Sequence, residues 1–339
     1  MTVQAPTGEP VLQHAPTRVQ QVQRLLHAHP WLSPAVVLVV AYVTFSLLNE
    51  RFAQPGAQSL LIQQTAVIAA LAVGQTLIIL TAGIDLSVGA IAILSMMVMA
   101  KVAVEHGVSG PLALLLGAAV GVAAGGLNGL LVTRVNLPPF IVTLGTLSVF
   151  TALTLLYTGG TSIPGTELPD LLTWTGNTFA IGEFRITMGV VLVVLLYLVV
   201  GYALGQTAWG RHVYAVGDDR EAARLSGVSS RRVLLSVYLS AGLIYAIAAW
   251  VLIGRAGAAS PNALTDANLA SITAVVIGGT SLFGGRGALV GTLLGALIVQ
   301  SFTFGLGLAG VDDHYRLLAV GALVILAVSA DQWIRKARA

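Results

Sequence analysis

The chain has 339 residues, 56% of them hydrophobic and only 9% charged, with a mean hydropathy of +0.88. A water-soluble domain carries ~25% charged residues, so this composition excludes one and leaves a polytopic membrane protein. The net charge of +3 does not point to nucleic acid, because the basic residues stand between apolar runs and at the C-terminus (Arg335, Lys336, Arg338) rather than along one face.

Residues 1–32 are polar, contain Pro and Gln, and carry Arg18 and Arg24. They lack the short positive head, short apolar stretch and small-residue cleavage site of a signal peptide, and read as a cytoplasmic tail leading into a retained first helix. Ten apolar runs follow, and the expected class is all-α with about ten transmembrane helices. The runs are 33–49, 60–82, 90–106, 111–133, 140–157, 187–207, 233–254, 267–282, 288–308 and 314–332. Alternating sides from a cytoplasmic N-terminus puts Arg134, the segment from Arg211 to Arg232, Arg286 and the C-terminal tail 334–339 inside. The loop 158–186, with Glu167, Asp170 and Glu183 against Arg185, falls outside, as does Asp312-Asp313. Arg51, Lys101 and Arg255 depart from the positive-inside pattern; the rest agrees, and both termini are expected in the cytoplasm. Trp31, Trp209 and Trp333, near span ends, read as interfacial anchors.

Two apolar stretches are interrupted alike. The first reads Thr81-Ala82-Gly83-Ile84-Asp85-Leu86-Ser87-Val88-Gly89, where Gly83 suits the left-handed end of one helix and Asp85 or Ser87 the cap of the next. The second runs from Gly278 through Gly287. Paired Gly-interrupted segments point to a transporter's pathway, but two tight cytoplasmic turns would read the same way. In the fourth run Gly117, Gly121, Gly125 and Gly129 form a smooth stripe for close helix approach, within the subunit or between two copies.

No G-x-x-x-x-G-K-[ST] loop is present; the lysines are Lys101 and Lys336 alone, so the chain has no recognisable cradle for ATP phosphates. Gly285-Arg286-Gly287 does not open a dinucleotide loop, since the third glycine is misplaced. The six histidines lack metal-ligand spacing, there is no cysteine to supply a thiolate, and no Ser/His/Asp arrangement can be argued. No enzyme active site is expected, and no cofactor or metal on this chain.

The inside loop 208–232 holds the most informative polar segment. Asp218, three residues before Glu221, resembles a capping box. Ala222, Ala223, Arg224 and Leu225 favour helix, and Gly227 is placed to end it, giving a rod of about two turns. Such a rod is either a plain connector or a knob that passes a partner's motion to the flanking spans.

Glu221-Ala222-Ala223-x-x-x-Gly227 matches the core of the cytoplasmic loop in membrane subunits of ATP-binding-cassette (ABC) importers. The wider chain resembles their ribose/xylose/galactoside permease family. The matching stretches are Gly83–Gly89, Asn128–Val132 followed by Leu137–Gly145, and Val276–Gly287. The resemblance covers about 60 to 330; the tail 1–32 and an I-x-L-P loop ending fall outside it. It implies a permease domain over 33–333 whose loop 208–232 couples to a separate ATPase subunit holding ATP and Mg. It also implies a second permease subunit, an extracytoplasmic sugar-binding protein, and residence in the bacterial inner membrane. Carried over by position, Gly217, Asp218, Glu221, Ala222, Ala223, Arg224 and Gly227 belong to the ATPase coupling. Gly83, Asp85, Ser87, Gly89 and Asn128 are candidates for the translocation pathway or its gate.

Asp85 supports two readings: a functional carboxylate at membrane depth, or a helix cap at the membrane edge. Asn128 either bonds across helices or faces solute; Gln75, Asn136 and Gln300 are of the same kind. The expected function is monosaccharide translocation driven by a partner's ATP. The rivals are an ABC permease for a nucleoside or branched-chain amino acid, and an ion-coupled carrier.

Overall fold

The structure, a computed structural model, describes residues 31–336. The expected tail over 1–32 therefore lies almost wholly outside the described residues, as do 337–339 of the C-terminal tail and the side chain of Trp333. The helices in chain order are α1 (Leu32–Leu48), α2 (Pro55–Leu80), α3 (Val88–His106), α4 (Gly110–Thr133), α5 (Pro139–Thr158), α6 (Asp170–Thr173) and α7 (Met188–Gln206). They continue with α8 (Ala208–Asp218), α9 (Arg220–Leu225), α10 (Ser230–Ala256), α11 (Ala267–Ile277), α12 (Leu289–Leu308) and α13 (Asp313–Lys336).

Seven of these, α2 to α5, α7, α10 and α12, are long and apolar enough to cross a membrane. The helices α1 and α11 are apolar but shorter, so ten full-length spans are not what the described residues contain. The largest departure is at 267–282, where the helix stops at Ile277. Its 11 residues rise only ~16 Å, about half the ~30 Å hydrocarbon core. Pro261 and the polar residues around it end the apolar run on one side, and Gly278-Gly279 on the other. Nor is the chain purely helical. Strand β1 (Ile163–Pro164) pairs antiparallel with β4 (Ala258–Ala259), and β2 (Thr178–Ile181) forms a hairpin with β3 (Phe184–Thr187).

The centre of the bundle is α2 and α10, whose flanks are buried by α3, α4, α11 and α12. Close approach replaces hydrophobic drive here. A Cβ on Gly242 of α10 would fall 2.1 Å from the Gly121 carbonyl of α4, and one on Gly121 2.5 Å from that of Gly242. Gly125 and Gly129 face α10 at Tyr238, and Gly117 faces Met99 and Ser95 of α3. The glycine stripe thus lies against helices of its own chain.

Loops gather at two opposite ends. At one, Gly165 N–H donates to Gly257 O (2.8 Å), Ser162 to Ser260 (2.9 Å), and Thr175 to Trp250 O (2.9 Å). At the other, the turns after α2 and α11 meet the α8–α9 segment.

Candidate coupling site and membrane break

Both helix breaks are made by the same device. After α2, Gly83 N–H donates to Ile78 O (3.1 Å) and Ala82 N–H to Ile79 O (2.9 Å); after α11, Thr280 donates to Val275 O (3.2 Å) and Gly279 to Val276 O (2.9 Å). This is a Schellman cap, which needs one left-handed residue. In the second cap that residue is Gly279 (φ +84°). In the first it is Ala82 (φ +59°), not Gly83 as the sequence suggests. Gly83 occupies the next position, where a Cβ would press on Ile78 at 3.0 Å.

The α8–α9 segment is wedged against both caps. Gly217 is the contact point: a Cβ there would sit 1.7 Å from Leu80 O and 2.7 Å from Gly285 N, so only glycine permits this backbone approach. Gly285 N–H donates to Leu80 O (2.9 Å), tying the second turn to the end of α2. Arg220 donates to Thr81 O (3.2 Å), and the Tyr214 hydroxyl to Gly287 O (2.9 Å). Rod and turns therefore form one hydrogen-bonded cluster.

The expected short rod is the single helix α9, joined at Asp219 to α8, which the sequence did not suggest, and its cap differs from the expected box. Asp219, not Asp218, accepts from Glu221 N (2.8 Å) and Ala222 N (3.0 Å). Asp218 ends α8, with its Cα and Cβ against the Gly285 position. Glu221 does not reach back; it pairs with Arg224, whose Nε lies 3.0 Å from Oε2. That pairing pushes the Arg224 guanidinium further up from its ordinary pKa. Gly227 (φ +84°) closes α9 with a third Schellman cap, Val228 N–H donating to Ala223 O at 2.9 Å. Ala223 is buried, whereas Glu221, Ala222 and Arg224 face outward, so α9 presents a polar, charged face to the exterior.

Above the first cap the chain re-enters the bundle. Asp85 is 1% exposed, and its Oδ1 accepts from Ser87 N (2.7 Å) and Ser87 Oγ (2.6 Å). Its Oδ2 accepts from the Tyr245 hydroxyl (3.3 Å), and Asn128 Nδ2 donates to Ser87 Oγ (2.9 Å). Asp85 is thus neither a free carboxylate nor a helix cap proper; it bonds its own turn to α10, and Asn128 bonds that turn to α4. Gly89 N–H donates to Asn268 Oδ1 (2.9 Å), so α11 caps α3. None of Gly83, Asp85, Ser87, Gly89 and Asn128 lines the cavity at the far end of α11. Asn136 (φ +58°) makes the turn between α4 and α5, and Trp209 Nε1 donates to Ser236 Oγ (2.8 Å). Sequence reasoning passed over Arg220, Tyr245 and Asn268. Asn268 alone left a trace, as part of the polar stretch Asn262-Ala263-Leu264-Thr265-Asp266-Ala267-Asn268 breaking an apolar region.

An apolar bundle with two matched helix breaks, both bound to one polar rod at the same end, is a membrane permease subunit. Residues 59–328 match the family described as branched-chain amino acid transport system / permease component, and the chain belongs to it. It is 47% identical over 330 residues to the fructose import permease protein of Rhizobium meliloti, covering 96% of this chain and 92% of that one. Identity to the ribose import permease protein of Bacillus subtilis is 40% over 301 residues (89% and 92% of the two chains). With the D-allose transport system permease protein of Escherichia coli it is 34% over 302 residues (89% and 91%). No solved structure matches the chain.

Proposed function

We propose that this chain is the transmembrane subunit of an ATP-driven monosaccharide importer in a bacterial inner membrane. In this reading all ten helices α1–α5, α7 and α10–α13 are membrane-inserted, α11 as a half-span, and both termini are cytoplasmic. The subunit pairs with a second permease, a copy or a paralogue. ATPase domains carrying ATP and Mg hold α9 through the face bearing Glu221, Ala222 and Arg224, within the coupling loop 208–232. An extracytoplasmic binding protein docks at the opposite end, near 158–186. The relatives' sugars make D-fructose the first solute to test, with D-ribose and D-allose next.

One observation carries this reading: Gly217 and Arg220 tie the rod to both helix breaks at once. A push on α9 reaches α2 and α11 without an intervening flexible joint, which is what switching a pathway between outward and inward access requires. The burial of Asp85 by its own chain's donors argues against its use as a coupling-ion site. Replacing Glu221–Gly227 with a Gly/Ser linker of equal length tests the proposal. Uptake should be lost while insertion and the amount of protein in the membrane stay normal; undiminished accumulation would contradict it. The family's description names amino acids, so L-leucine belongs in the same uptake assay, and its transport in place of sugar would reassign the substrate.

A further inference from the structure

A cavity of about 480 Å³ lies at the opposite end of α11 from the caps, between α2, residues 262–270, α12 and α13. Small-molecule sites run ~300–1,000 Å³. Its depth follows from helix geometry. Gln64 is nine residues into α2 and Gln300 eight residues from the end of α12, each ~12–14 Å from the end bearing residues 158–186. Gln63, next to Gln64, donates to Arg185 O (3.0 Å) of that end's hairpin, and Arg255 is in the last turn of α10, so the cavity lies in the half of the bundle nearer that end. A broken helix that begins beside a polar cavity is a recurrent arrangement for solute sites in transporters.

The polar groups there are underused. Gln300 Nε2 donates to Gln64 Oε1 (2.9 Å), which leaves the Gln64 amino group and the Gln300 carbonyl without partners. Asn262 uses only its backbone in hydrogen bonds, leaving its side-chain amide open. Asp266 stands at the N-cap position of α11, yet its carboxylate makes no capping bond and no ion pair. Arg255, Arg316, Thr265 and Thr303 add further polar groups to the lining. Donors and acceptors are thus interleaved, the pattern that vicinal hydroxyls satisfy, each giving one hydrogen bond and accepting another. Among the described residues no aromatic ring lines the cavity. A stacking platform would hold a sugar tightly, whereas a site on a pathway must release what it binds.

A second observation lies deeper on the same face. From Gln64, the steps to Ile68, Leu71 and Gln75 are four, three and four residues, which keeps them on one side of α2. Gln75 is 0% exposed, and neither its Oε1 nor its Nε2 has a partner. A wholly buried amide with no hydrogen bond has lost its water without replacement and calls for an explanation. Gln75 is ~16 Å beyond Gln64 and one and a half turns from the cap that Gly217 abuts.

We infer that this cavity is a resting station for a neutral polyhydroxylated solute in the half of the bundle nearer residues 158–186, held by Gln64, Asn262, Asp266 and Gln300. Gln75 is the next group the solute meets once α11 shifts against α2. The inference rests on the monosaccharide reading above and assigns the residues that touch the solute.

The test uses the whole importer in proteoliposomes, with its ATPase and loaded binding protein and radiolabelled D-fructose as probe. Asn262→Leu and Gln300→Leu should each lower uptake about fivefold to tenfold, the worth of about one lost hydrogen bond. Half-saturation by the binding protein and stimulated ATP hydrolysis should stay at wild-type levels, so that hydrolysis runs without transport. Unchanged uptake per ATP in both would overturn the site. Because the chain has no cysteine, Asn262→Cys gives a readout independent of those variants' folding. Excess D-fructose during turnover should slow its labelling by a membrane-impermeant maleimide, and equal labelling with and without the sugar would overturn the site. Wild-type uptake of L-leucine but none of D-fructose, D-ribose or D-allose would instead bring down the monosaccharide reading itself.

Discussion

The contact between rod and turns and the cavity beyond α11 are built by opposite rules. At the rod, backbone meets backbone: Gly217 touches Leu80 and Gly285 with no side chain between them, and cap carbonyls and amides find partners. In the cavity the polar groups are side chains, and Gln64, Asn262, Asp266 and Gln300 retain unused bonding capacity. Stiffness is placed where force would enter, and open hydrogen-bonding capacity where a solute would come and go. The same two helices, α2 and α11, connect the regions, so a rigid displacement at one end changes the other.

The severest way to break this contrast is to put bulk where backbones touch. Gly217→Val would drive carbon into Leu80 O, a backbone atom that cannot swing aside. It should destabilise the assembled protein by on the order of 3 kcal/mol and abolish uptake, read by thermal unfolding in detergent and by transport. Gly145→Ala, whose Cβ would meet nothing within 4 Å, is the control and should be silent. Next comes Asp85→Ala, which strips the acceptor from Ser87 N, Ser87 Oγ and the Tyr245 hydroxyl at full burial. A loss of about 2 kcal/mol follows from leaving such donors unpaired, measured in the same unfolding assay; Asp85→Asn should lose less.

Ala82→Gly acts in the other direction. An L-residue in the left-handed conformation costs roughly 1–2 kcal/mol, and Gly279 fills the matching position of the second cap without that strain. The variant should gain about 1 kcal/mol in thermal stability. The smallest effect on stability is expected from Glu221→Gln, since its partner Arg224 and Glu221 itself are both about two-thirds exposed. Unfolding should not move, yet uptake should fall if this face meets the ATPase. That separation of stability from transport is what a docking surface, as opposed to a connector, would give.

Much of the fold is legible in the residues, because long apolar runs have few alternatives in lipid: each of the ten expected runs coincides with a helix to within five residues at each end, though seven of those helices are long and apolar enough to cross a membrane. The span at 267–282 misled because hydropathy continues past Ile277 through Leu282-Phe283, while Gly278-Gly279 stops the helix first. The caps went wrong by one residue, Ala82 for Gly83 and Asp219 for Asp218. Residue preferences mark a turn, but the tertiary contacts of Ile78 and Gly285 decide which residue takes which place. What sequence could not reach was that the two breaks touch each other and the rod. Leu80, Gly217 and Gly285 are far apart in the chain, and their contact is made by backbone atoms that carry no residue signature.

The central claim is that the rod and both turns move as one body, and paired spin labels address it most directly. Leu225 on α9 and Phe283 in the second turn are exposed enough to label after exchange to cysteine. Their separation in the full importer should be the same with and without ATP, while that from Phe283 to Asn262 at the cavity changes. A Leu225–Phe283 distance that follows the nucleotide while the Phe283–Asn262 distance stays put would mean the rod slides past the breaks, and the account would fail.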